Sequence, residues 1–90
     1  MSYENRRAEP RHAAEGEVTL SLDEPVHQEI TGMLVDYSKS GFRAVHESTD
    51  LHTGQLVHFR HIVASGTAQV IWNRILPDRV ESGFLVVPAA

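Results

Sequence analysis

From Glu17 the chain alternates. In EVTLSL, Val18, Leu20 and Leu22 fall on one face and Glu17, Thr19 and Ser21 on the other, the period-2 mark of a half-buried strand. DEP at 23–25 signals a turn. HQEITGMLVDYS, 27–38, predicts a second strand that ends where Asp36 and Ser38 begin polar turn chemistry. GFRAVH, 41–46, predicts a third, with Phe42 and Ala44 on one face. After the loop ESTDLHTG, QLVHFRHIV at 55–63 sets Val57 and Phe59 against His58 and Arg60. TAQVIWNRIL, 67–76, places Ala68, Val70 and Trp72 on a shared face, so Trp72 is expected in the core with Phe42, Phe59 and Phe84. PDRVES turns the chain and GFLVV, 83–87, closes it. Six short strands spaced about 8–12 residues apart, with no helical period, predict an all-β fold, a small antiparallel barrel or sandwich. A closed barrel is the more economical, because closure removes exposed edges in so short a chain.

Residues 1–16 show neither period. They are polar, contain Pro10, and are expected to form an N-terminal arm that is loose unless something fixes it. The 90 residues make one domain, residues 1–90, with the arm at 1–16 and the barrel at 17–87. A hydrophobic content of 41% with 22% charged residues is ordinary globular composition. The absence of cysteine excludes disulfides, thiolate metal sites and thiol catalysis, and suits a cytoplasmic protein. No apolar run approaches the ~20 residues of a membrane span. The opening MSYENRRAEP has no apolar segment and is not expected to be a secretory signal.

A net charge of -4 argues against sequence-independent binding to DNA or RNA, which needs a broad basic surface. The positive charge is local instead. Arg6, Arg7 and Arg11 outnumber Glu4 and Glu9 at the start of the chain, and such a patch suits a small anion. The second feature is DYSKSG, 36–41. On local physics it is a strand-to-strand turn, in which Asp36 and Ser38 bond nearby amides and Gly41 is expected to accept a positive φ.

The two features together, an RxxxR at Arg7 and Arg11 and, about 25 residues on, a [D/N]xSxxG at Asp36, Ser38 and Gly41, resemble the signature of the PilZ domain family. GTAQVIW and SGFLVV look like the two late strands of that family, so the resemblance runs over roughly residues 5 to 87. It implies a six-stranded antiparallel PilZ-type β-barrel and, as ligand, the bacterial second messenger cyclic di-GMP. By resemblance, Arg7 and Arg11 would clamp the ligand from the arm and Arg6 would add a third guanidinium. Asp36 and Ser38 would lie on the barrel surface, with the carboxylate accepting from guanine N1–H and N2–H. Gly41 would let the backbone turn close beneath the ligand. The chemistry agrees, since arginine's planar fork suits phosphate oxygens and guanine O6 and N7 and can stack on a base. An arm folded by its ligand would signal by a disorder-to-order switch to a protein partner.

Rival readings are weaker. Arg43, Arg60, Arg74 and Arg79 read as surface charges, one of which could line the ligand groove. The six histidines read as scattered surface groups: His58 and His61, three apart in a strand, point to opposite faces, and no carboxylate spacing completes a zinc pattern, so no metal or other cofactor is expected. Neither Ser38 nor Ser40 stands in a G-x-S-x-G elbow, so catalysis is not expected. A single-stranded nucleic-acid barrel would expose aromatics on a basic face. The main alternative is a PilZ-like protein-interaction module with weak or no ligand binding. Family members often carry a helix after the last strand; here GFLVV is followed only by PAA. That barrel end would then be exposed, covered by the arm, or buried by a second copy in a homodimer.

Overall fold

The structure is a computed structural model that describes residues 9–24 and 26–88. Seven strands follow in order: β1 (His12–Ala13), β2 (Glu17–Leu22), β3 (Gln28–Tyr37), β4 (Gly41–His46), β5 (Leu56–Arg60), β6 (Ser65–Ile75) and β7 (Val80–Val87). The six longer strands pair antiparallel in the order β3-β2-β5-β6-β7-β4, and a β3–β4 pairing closes the barrel. Among the described residues there is no helix. The alternating residues behave as expected. Val18, Leu20 and Leu22 of β2, Val57 and Phe59 of β5, and Ala68 and Val70 of β6 point inward. Phe42 stacks on Phe84 with ring centroids 4.6 Å apart and meets Phe59 at 4.8 Å. Burying side chains of this size is worth about 1.5–3 kcal/mol each.

Two register shifts decide where the functional side chains point. In β6, Val70 pairs with Phe84 but Trp72 pairs with Gly83, leaving Ile71 as the extra residue of a bulge. A slip of one residue moves every following side chain to the other face. Trp72 is therefore not in the core: it faces outward, 37% exposed, with its indole over Gly83, where a Cβ would collide with the ring. In β3, Leu34 pairs with Ala44 but Asp36 pairs with Arg43, so Val35 is extra and Asp36 is turned toward the outer face of β4.

β1 also departs from expectation. The second half of the arm is docked on the barrel. β3 is ten residues long and β2 only six, so the end of β3 has an unpaired edge on that side. His12 and Ala13 fill it opposite Tyr37 and Asp36, Ala14 N–H donates to Val35 at 3.2 Å, and Leu34 N–H donates to Gly16 at 2.8 Å. His46 is likewise no surface group. It is buried, its ring 2.8 Å from Ser82 Oγ, with the Ser48 N–H donating to Nδ1 at 3.1 Å. His61 is half-buried at the barrel mouth, where its Nδ1 accepts from the Val63 and Ala64 amides and ends β5 in a tight turn.

Candidate ligand-binding site

The site is assembled where the docked arm crosses the β3–β4 turn. Ser38 N–H donates to Gly41 at 2.8 Å, closing the turn, and Val86 N–H donates to Ser40 at 2.8 Å, fixing it to β7. Gly41 is required here for space. Its φ is not positive, as the sequence suggested; a Cβ would instead run into the Phe84 carbonyl oxygen on the neighbouring strand.

Asp36, turned outward by the bulge, lies under two guanidiniums and is only 6% exposed. Arg11 Nη2 donates to Oδ1 at 2.8 Å, and Arg11 Nη1 reaches Ser38 Oγ at 3.4 Å. Arg43 Nε lies 3.0 Å from both carboxylate oxygens, and Arg43 Nη2 donates to Oδ2. Burial alone would raise the Asp36 pKa. The bonds from Arg43 and Arg11, with their charges, more than offset it and hold the carboxyl at about 2. Two cations thus share one anion, and a second carboxylate, Glu9, lines the groove beside them. Arg43 continues outward to Glu81 at 3.7 Å, and Glu81 in turn accepts from Arg74 at 2.8 Å.

Beside this cluster runs a groove of about 330 Å³ lined by Glu9, Arg11, Ser38, Arg43, Trp72 and Leu85 among others. Across the turn, a second hollow of about 390 Å³ opens at the barrel mouth between Tyr37, Phe59, His61 and Val86. Among the described residues, no group of three or more His, Asp or Glu side chains is arranged to hold a metal ion.

The structure brings Arg11, Asp36 and Ser38 into direct contact across 25 and 27 residues of sequence, with Gly41 lining the same groove. Arg6 and Arg7 lie outside the described residues. Both oxygens of Asp36, expected to meet a guanine, are engaged by four guanidinium contacts, so in this arrangement the carboxylate holds Arg11 and Arg43 in place. Of the four arginines of which one was expected to line the groove, Arg43 does so; Glu9, Ser40 and Trp72 are groove residues that the sequence did not single out. Trp72 is brought there by the β6 bulge, and Asp36 is turned toward Arg43 by the β3 bulge; neither leaves a mark in the one-letter code.

No protein-family model and no curated protein matches this chain. Among solved structures the fold is similar to that of the Bacillus subtilis inhibitor of motility, MotI/DgrA, with a TM-score of 0.71 at 17% sequence identity. The match covers 94% of this chain and 44% of that one, so the chain spans less than half the length of that protein. The likeness shows the fold, a closed six-stranded antiparallel barrel of the PilZ type.

Proposed function

We propose that this domain belongs to the PilZ family and is a receptor module for cyclic di-GMP, without catalysis, acting in the cytoplasm through a protein partner. One observation carries the reading. The arm arginine and the turn serine of the two motifs converge through Asp36 on one groove, where Arg11 and Arg43 stand side by side in a chain whose net charge is -4. Arg11 and Arg43 present guanidinium edges suited to phosphodiester oxygens and guanine Hoogsteen edges. Trp72 offers an indole face on which a base can stack, an interaction worth about 1–3 kcal/mol. The groove volume is at the low end of ligand sites, roughly 300–1,000 Å³, so a cyclic dinucleotide would place one nucleotide there and extend past the turn. Arg6 and Arg7 would close on it from the arm. The likeness to a protein named as an inhibitor of motility supports a signalling role.

The second reading, an interaction module with weak or no ligand binding, is favoured by the fact that Glu9 and Asp36 already satisfy the turn's donors and two of its arginines. Calorimetric titration decides between the two. Selective binding of cyclic di-GMP at micromolar or lower concentration, with cyclic di-AMP and GMP weaker, supports the receptor. No heat at high ligand concentration leaves the interaction module.

A further inference from the structure

The β3–β4 turn carries a set of donors aimed at a single point. Ser40 N–H and Ser40 Oγ converge at 3.3 and 2.6 Å on one atom, Oε1 of Glu9, the middle residue of RAEPR. Backbone and hydroxyl donors on a tight turn, flanked by cations, form the usual cradle of an anion. Here Lys39 and Arg11 supply the flanking charge. Glu9 is held below the ordinary carboxylate range, first by the Ser40 hydroxyl, with desolvation opposing, then by the Ser40 amide, Ser38 and Lys39. Its side chain lines the same groove as Arg11, Arg43 and Trp72.

We propose that Ser40, with Ser38 beside it, forms a phosphate subsite, and that Glu9 is the chain's own stand-in for that phosphate. The ligand's identity rests on the cyclic di-GMP reading; the subsite itself does not. A carboxylate and a phosphodiester present the same feature to these donors, an anionic oxygen accepting from one N–H and one O–H. A ligand phosphate entering the subsite must therefore displace Glu9. Glu9 sits two residues before Arg11, so its release frees the arm's nearer anchor while Arg11 stays on Asp36. Ligand entry is thereby coupled to a change in the arm, with Glu9 lowering the apparent affinity by the fraction of time it occupies the subsite.

The test is a gain of affinity, which loss of fold cannot imitate. Glu9→Ala, Ser40→Ala and the double variant are titrated with cyclic di-GMP by calorimetry. In parallel, the Ser40 amide of the wild type and of Glu9→Ala is followed by NMR during titration with inorganic phosphate. Glu9→Ala should bind cyclic di-GMP about 3- to 30-fold more tightly than wild type. That gain should shrink in the Ser40→Ala background, whereas a general charge effect would be equal in both. Binding by Glu9→Ala no tighter than by wild type would overturn the inference and leave the receptor reading in place. If no form binds cyclic di-GMP, the receptor reading fails and the phosphate titration decides. A saturable Ser40 shift in Glu9→Ala, absent in wild type, retains the subsite; no shift in Glu9→Ala overturns it.

Discussion

Asp36→Asn probes the centre of the site with the smallest change of shape. The amide keeps the volume but loses the charge that holds Arg11 and Arg43 together. The difference between the ordinary carboxyl value of 3.8 and about 2 in the folded chain corresponds to about 2.4 kcal/mol of stability from the ionised form. Both arginines are partly exposed and solvent screens them, so the expected loss is about 1.5–2 kcal/mol. For a domain of this size that is a fall in Tm of about 6–16 °C. The folded carboxyl titrates below the unfolded one, so its contribution is complete above about pH 3.8 and disappears as pH falls toward about 2. Thermal or urea unfolding of both proteins between pH 7 and pH 2 is the assay. The curves should be well separated at pH 7 and converge in acid. A variant within about 0.5 kcal/mol of wild type at pH 7, the range of an ordinary surface substitution, would show that the clamp is not structural. So would a separation that persists unchanged at pH 2.

Other expectations rest on separate contacts. Arg43→Ala, which removes three contacts to Asp36, should destabilise the ligand-free domain more than Arg11→Ala, which removes one; equal melts for the two variants would contradict the geometry. Gly41→Ala should cost about 1–3 kcal/mol in urea unfolding, because the new methyl meets a strand carbonyl that cannot move alone. The His46 pKa is lowered by burial, so the unfolded chain binds a proton more readily. Stability should therefore fall as pH drops below about 6.5, and His46→Gln should flatten that slope in pH-dependent melts. Trp72 is the sole tryptophan and lies on the groove, so its fluorescence should be open to aqueous quenchers without ligand and protected once cyclic di-GMP is bound.

The barrel was legible because four of its six long strands, β2 to β5, show alternating burial along all or nearly all of their length. The β2 residues Val18, Leu20 and Leu22 are the clearest case. The pairing of Arg11 with Asp36 and Ser38 was legible through the spacing of two motifs. What could not be read depends on non-local geometry. The alternation that placed Trp72 with Val70 is broken by one extra residue, Ile71, whose presence is decided by pairing with β7. Arg43 faces Asp36 only because Val35 is extra in β3. The docking of His12 and Ala13 follows from the unequal lengths of β2 and β3, which no property of the arm itself announces. His46 looks polar in sequence yet is buried, because Ser82, Asn73 and the Leu51 carbonyl form a hydrogen-bonded chain beneath it.

On the proposed function, the groove between the docked arm and the β3–β4 turn receives a cyclic dinucleotide. An NMR titration of the isotopically labelled domain with cyclic di-GMP tests it most directly. Saturable shifts should concentrate on Arg11, the 38–41 amides, Arg43 and the Trp72 indole N–H, with cyclic di-AMP producing smaller ones at the same concentrations. Spectra that do not change, or shifts confined to the far end of the barrel around His46 and Ser82, would contradict it.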